Sequence, residues 1–307
     1  MLHIKSLEEG KALFKALGSD IRIEIIKALL AEPDMSMNEL AGRLKITGGA
    51  LTGHVKKLEE CGILKVTGES GGHGNLKKCS VCLDKILIDL EEEKKPGNSY
   101  EVSLKVGHYS DCRVWPTCGM ASARELIGAL DDVRYFSHPE RFKADILWFA
   151  KGYVEYEIPD LIPRGKRLDR ITITAELGSE APGVNASWPS DIHFYINGVL
   201  LGQWTSPGDF GDTRGLLTPD WWHPGLNQYG LLKMLTVNHR GTFIDGLQIS
   251  DTSIESLGLD HRNPIRFRLA VEEHSGHVGG LTIFGKGFGN YDQDIEVKVD
   301  YSEEDGC

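Results

Sequence analysis

Side chains able to do chemistry gather in three parts of the 307-residue chain. The densest is Gly202–Tyr229, GQWTSPGDFGDTRGLLTPDWWHPGLNQY, which places Trp204, Trp221 and Trp222 among Asp209, Asp212, Arg214, His223, Gln228 and Tyr229. Indole faces can stack on sugar rings while carboxylate, guanidinium and amide groups bond hydroxyls, so this set predicts a carbohydrate-type effector site. The competing reading is that these tryptophans plug one end of a core. A glycosidase would need two carboxylates flanking the bond to be cut, and Asp209 with Asp212 or Glu155 with Glu157 are the pairs on offer. A second set is polar and basic: Thr47, Thr52, His54, Lys56 and Lys57, followed by His73, Asn75, Lys77 and Lys78. These are groups that bind phosphate oxygens and base edges. The third is two thiol pairs, Cys79 with Cys82 and Cys112 with Cys118, which would serve a metal- or redox-responsive regulator. Residues three apart on a strand face opposite sides, and no glycine signals a knuckle between Cys79 and Cys82. The expectation is therefore small buried thiols, with no metal and no cofactor assigned.

The net charge of −11 opposes nucleic-acid binding until it is located. Residues 1–95 hold 15 Lys/Arg and 15 Asp/Glu, whereas residues 96–307 hold 19 and 30. Within Arg43–Lys78 the balance is 7 basic to 3 acidic. Phosphate attraction follows the local patch, and an acidic remainder limits unspecific sticking. The N-terminus lacks the basic-then-apolar layout of a signal peptide and no apolar run reaches spanning length, so a cytoplasmic protein with no membrane partner is expected.

The basic set needs a scaffold, and the first 85 residues supply one. Ser6–Leu17 and Ile21–Ala31 read as helices, closed by Gly18 and Pro33. Ser36-Met-Asn-Glu39 is a capping box that opens a third helix, Met37–Lys45. Thr47 caps a fourth within Ile46–Cys61, where Leu51, Val55 and Leu58 mark the buried stripe and leave Thr52, His54, Lys56 and Lys57 elsewhere. Ile63–Thr67 and Leu76–Val81 read as strands around the glycine-rich tip Gly68–Asn75. Such a tip suits a wing lying along a phosphate backbone or in a minor groove.

The order LFKALGSDIRIEIIKALL, MSMNELAGRLKITGGALTGHVKKLEECGILKV and a glycine-rich hairpin resembles the ArsR/SmtB family of bacterial repressors over roughly the first 85 residues. The resemblance implies a winged helix-turn-helix, a homodimer, operator DNA bound through Thr47–Lys57 and the wing, and release by an effector. Two departures stand out. Gly48, Gly49 and Gly53 thin the groove-facing surface, and Glu32–Leu40 lacks the cysteines that metal-sensing members carry there. Where the family often has a last dimer helix, Ile86, Ile88 and Leu90 alternate as in a strand.

Beyond Lys94–Ser99, read as a linker, residues 96–145 are expected to form a connecting segment with a strand at Tyr100–Tyr109 and a short helix at Ala121–Leu130. From Ile146 nine short alternating segments, with Asn197-Gly198 as a hairpin turn, predict an antiparallel β-sandwich of jelly-roll type spanning 146–307. The fold class is thus multidomain α+β: a winged helix-turn-helix over 1–95 and a jelly-roll-like β-sandwich after it. The function expected is a one-component transcriptional regulator, not an enzyme, in which a small polar effector, a sugar, controls binding to double-stranded operator DNA.

Overall fold

The computed structural model describes residues 2–4, 6–71, 74–83, 85–88, 98–259 and 262–303, with backbone alone for 69–71 and 74–76. The chain divides into two compact units, Met1–Lys94 and Lys95–Cys307.

In the first unit β1 (Leu2–Ile4) is followed by α1 (Lys11–Leu17), α2 (Asp20–Ala31), β2 (Met35–Ser36), α3 (Met37–Leu44), α4 (Gly48–Glu60), β3 (Leu64–Gly71), β4 (Gly74–Val81) and β5 (Ile86–Ile88). Its core is built from Leu13, Ile25, Leu29, Leu40, Leu51, Val55 and Leu58, one stripe from each helix. The expected first helix loses its opening turn: residues before Lys11 form turns, and Leu7 is exposed. Arg22 is buried and donates from Nε to Ala16 O (2.5 Å) and from Nη2 to Lys15 O (2.6 Å). It closes the open carbonyls at the end of α1, a need every helix C-terminus has. β3 and β4 pair antiparallel with Leu64 opposite Val81, and β2 extends that sheet along β4. β5 is a strand, as its alternation predicts, paired in parallel with β1.

The second unit is one antiparallel hydrogen-bonded system: β6 (Asn98–Leu104), β7 (Asp111–Ala121), β8 (Ile146–Ile158), β9 (Lys166–Gly178), β10 (Ser190–Ile196), β11 (Val199–Ser206), β12 (Leu231–Asn238), β13 (Gly241–Ile244), β14 (Leu247–Ser250), β15 (Ile265–Val271), β16 (Leu281–Phe284) and β17 (Ile295–Glu303). Two long strands change partners midway. β8 pairs with β16 over Ile146–Phe149 and with β15 over Gly152–Ile158, and β9 pairs with β16 at its end and β17 before it. The sheet therefore folds into two layers, β11-β10-β15-β8-β7 and β6-β17-β9-β12-β13-β14, around one apolar core. Gly152, at φ +111°, makes the bend; a Cβ there would lie 1.9 Å from Arg113 O. The outer edges also meet, since Ser250 Oγ donates to Leu201 O (2.5 Å) and Thr252 Oγ1 to Leu200 O (3.1 Å). Asn197 and Gly198 both take positive φ, as a two-residue hairpin needs.

The segment expected to connect the domains is part of this sheet. β6 and β7 pair with β17 and β8, and Ala121–Leu130 forms no α-helix. The Ser122 hydroxyl instead accepts from Glu125 N (3.1 Å), and Asp131 Oδ1 accepts from Cys118 N (2.8 Å), folding the segment back on the end of β7. Short 3-10 helices follow at Val133–Ser137 and Pro139–Lys143.

Candidate nucleic-acid interface and ligand surfaces

The capping box is made in both directions: Ser36 N donates to Glu39 Oε2 (2.8 Å) and Glu39 N donates to Ser36 Oγ (3.3 Å). The hydrogen bond from Ser36 holds the Glu39 carboxyl below its ordinary range. A turn later Thr47 Oγ1 accepts from Ala50 N (3.3 Å) and starts α4. With Leu51, Val55 and Leu58 buried, Thr52, Lys56 and Lys57 are exposed and His54 is half-buried. Nothing lies within 4 Å of a Cβ built at Gly48, Gly49 or Gly53, so this side of the helix is open. Thr52 Oγ1 is engaged with Gly48 O (2.8 Å). An open cleft of about 530 Å³ joins α3, α4 and the hairpin, lined by Ser36, Asn38, Thr52, Lys56 and Lys77 among others. Lys77 is exposed and Lys78 half-buried on β4. His73 and the Asn75 side chain lie outside the described residues; the Asn75 backbone pairs with Ser70.

The three tryptophans expected around one ligand go to three environments. Trp222, at 2% exposure, fills a small core with Trp148, Ile146, Phe284 and Phe288, and its indole N–H is satisfied by Asn227 O (2.9 Å). What remains open of it lines a small cavity of about 140 Å³ with Trp148, Glu180 and Asn227. Trp204 packs against the main core, with the Lys233 ammonium 4.6 Å from its ring centroid and that ammonium paired with buried Asp245. Trp221 is 43% exposed and donates to Ala123 O (2.8 Å). The polar residues of the stretch are also turned to one another. Tyr229 donates to Asp212 Oδ1 (2.6 Å) and stacks on Phe210, Arg214 contacts Pro219 O, the exposed His223 accepts from Gly225 N (3.0 Å), and buried Gln228 donates to His223 O (3.0 Å) and Leu226 O (2.8 Å).

Asp209 is buried; Oδ2 accepts from Ala181 N (3.0 Å) and Oδ1 has no partner. Burial pushes its carboxyl up to about 7, and pushes nearby Glu180 well above the carboxylate range, with Asp209 adding to the effect. Three of the four acids posed for glycoside cleavage are committed elsewhere: Asp209 to the backbone, Asp212 to Tyr229, and Glu155 to Arg268, whose Nη2 lies 2.8 Å from Glu155 Oε2. Glu157 is exposed on β8. Cys79 and Cys82 belong to the first unit, Cys112 and Cys118 to the second. All four are free thiols, and burial pushes each upward, Cys118 to about 12. Among the described residues no group of three or more His, Cys, Asp or Glu side chains could hold a metal ion.

A surface that the sequence did not single out lies on the solvent side of β7, β8, β15 and β10, an open cleft of about 480 Å³. Register places Arg113 opposite Tyr153, Tyr153 opposite Ala270 and Ala270 opposite His193; the next row runs Asp111, Glu155, Arg268, Tyr195. Trp115 stands opposite Lys151 at one end. The alternation in Asp111-Cys-Arg-Val-Trp115 carried this signal, but Pro116 reads as a strand breaker and hid β7.

Residues 19–65 match the family model of a winged helix-turn-helix DNA-binding domain, so the chain carries a domain of that class in its first unit. Among solved structures, a possible transcriptional regulator from Methanosarcina mazei Go1 is 26% identical over 23% of this chain and 62% of its own, with a TM-score of 0.21. This chain therefore spans less than two thirds of that protein. A transcriptional regulator homologue from Pyrococcus horikoshii OT3 is 21% identical over 23% of this chain and 75% of its own, TM-score 0.20. The carbohydrate-binding module CBM36, solved in complex with calcium and xylotriose, is 10% identical over 66% of this chain and 99% of its own, TM-score 0.26. No curated protein matches the chain. No helix among the described residues is long and apolar enough to cross a membrane.

Proposed function

We propose that this chain is a one-component transcriptional regulator of ArsR/SmtB type that acts in the cytoplasm. Its first unit binds double-stranded operator DNA as a homodimer and represses, and its second unit holds a small polar effector, a carbohydrate, that shifts the population between DNA-competent and incompetent states. One observation carries the DNA reading: the Thr47-capped helix α4 buries Leu51, Val55 and Leu58 and leaves Gly48, Gly49, Thr52, Lys56 and Lys57 open beside Lys77 of the hairpin. An open glycine-rich helix start allows close approach of a phosphate, and the lysines supply its counter-charge. In this reading Thr47, Thr52, His54, Lys56 and Lys57 enter the major groove, and His73, Asn75, Lys77 and Lys78 follow the backbone. The second unit is read as a binding module and not a catalyst, because each carboxylate pair posed for glycoside cleavage has at least one member already engaged.

The test is selection of a random double-stranded library by the full chain, followed by titration of the enriched site and sedimentation of the complex. A palindromic site bound by two chains is expected. A pool that never enriches would remove the regulator reading.

A further inference from the structure

We infer that the solvent face of β7, β8, β15 and β10 is a binding site for a neutral oligosaccharide. The inference deepens the reading of the second unit as a sugar-responsive domain, and it moves the ligand away from the tryptophan-rich stretch.

Trp115 is 38% exposed at one end of this cleft, and its position depends on Gly152: a Cβ there would come within 3.0 Å of Trp115 Cε3. The missing side chain lets the indole lie across the neighbouring strand. An exposed ring held against the backbone in this way costs apolar exposure that a stacked pyranose would relieve. Further along the cleft the Arg268 guanidinium lies 3.9 Å from the Tyr153 ring centroid, so Tyr153 is also fixed in place. Ala270 sits between Tyr153 and His193 in the row and leaves a depression in the sheet surface.

The charges select the ligand class. Lys151 is paired with Glu273 (2.6 Å), Arg268 with Glu155, and Tyr195 donates to Glu272 while Tyr153 donates to Asp111 Oδ2 (2.8 Å). Four carboxylates against Arg113, Lys151 and Arg268 leave no excess of positive charge, so phosphate chains and other polyanions are disfavoured. What the face offers is donors and acceptors alternating at fixed positions. Each carboxylate has lone pairs beyond those in use, and the exposed Arg113 makes no ion pair or side-chain hydrogen bond among the described residues, its guanidinium lying 5.2 Å from the Trp115 centroid. A sugar hydroxyl both donates and accepts, and vicinal diols match such a mixed array without carrying charge. Because the pairs are already formed, little side-chain ordering remains for the ligand to supply.

The experiment is calorimetric titration of the full chain with maltotetraose, cellotetraose and xylotetraose, with trigalacturonate as the charged control. At least one neutral tetrasaccharide should bind; Trp115→Ala should weaken it by about tenfold, Arg113→Ala by less, and Trp115→Phe should keep most of the affinity. Circular dichroism of each variant separates lost binding from lost fold. The inference is overturned if no neutral sugar binds at millimolar concentration, if trigalacturonate alone binds, or if Trp115→Ala binds as the parent does. Operator affinity is measured separately. Sugar bound through Trp115 without any change in DNA binding upholds the site and removes the effector reading, whereas DNA binding that responds to another metabolite, with no sugar bound, removes the site.

Discussion

The Trp222 ring stands edge-on to that of Trp148, with centroids 5.7 Å apart and planes at 71°. Phe288 meets the same indole at 5.1 Å and 84°, so Trp222 is enclosed on several sides. Edge-to-face packing of this kind adds to the burial of a large ring. Trp222→Ala should therefore lower the stability of the second unit by about 3–5 kcal/mol, the range for emptying a large aromatic site. Trp221→Ala, which removes an exposed ring and one hydrogen bond, should cost about 1 kcal/mol. Urea unfolding of the two variants checks this; equal losses would mean that Trp222 is not the centre of that small core.

On α4 and β4, Lys56 and Lys77 line the same open cleft, and Lys56 has an exposed, loose pairing with Glu60 at 3.8 Å. Such a pairing contributes little and leaves the ammonium available to a phosphate. Lys56→Ala and Lys77→Ala should each weaken operator binding and reduce the log–log salt slope by about one unit. Fluorescence anisotropy across a salt series reads both. An unchanged slope would place the phosphate contacts elsewhere.

Where local chemistry decides structure, the chain could be read directly. The Ser36/Glu39 box, the Thr47 cap and the Leu51, Val55, Leu58 stripe each act within a turn or two, and α3 and α4 form where they predict. Leu281–Phe284 was legible for a related reason, since a short apolar run between glycines is buried on both faces. Strand β7 was not, because Pro116 interrupts its alternation and its pairing with β8 shifts register between Trp115 and Cys118. Two of the nine alternating segments, Ile146–Phe149 and Tyr153–Ile158, are halves of the single strand β8, because the bend at Gly152 falls inside it. The tryptophan-rich stretch was legible only in part: composition shows that indoles must be accommodated, but not whether protein or ligand does so. Trp222 is accommodated by Trp148 and Phe288, partners 74 and 66 residues away in the chain.

The capping box gives a prediction on the first unit. Ser36→Ala removes the acceptor for Glu39 N and leaves that backbone donor at the start of α3 without its partner, while Ser36 N keeps the Glu39 carboxylate as its acceptor. A loss of about 1 kcal/mol is expected, with Ser36→Thr close to the parent. Because α3 packs on α4, operator affinity should fall with it. Hydrogen exchange at the first turn of α3 is the direct reading; protection equal to that of the parent would show that the box contributes nothing.

Asp209 sets an expected pH dependence. Burial raises its folded-state pKa to about 7 from the ordinary 3.8, so between those values the folded chain holds a proton that the unfolded chain has released. Stability from this group is complete below about pH 3.8, declines as pH rises, and levels off above about 7, where both states are ionised. Glu176, buried and also raised to about 7 while accepting from Gly230, Asn290 and Tyr291 N–H groups, acts in the same direction over a similar window. Asp209→Asn keeps an acceptor for Ala181 N and puts a neutral amide where Oδ1 has no partner. Relative to the parent, the variant should gain stability steadily from pH 4 to 7, reaching on the order of 2–4 kcal/mol by pH 8. The residual slope of the variant then reports Glu176 and Glu180. Urea midpoints of parent and variant that run parallel across this range would show that Asp209 is ionised in the folded chain throughout.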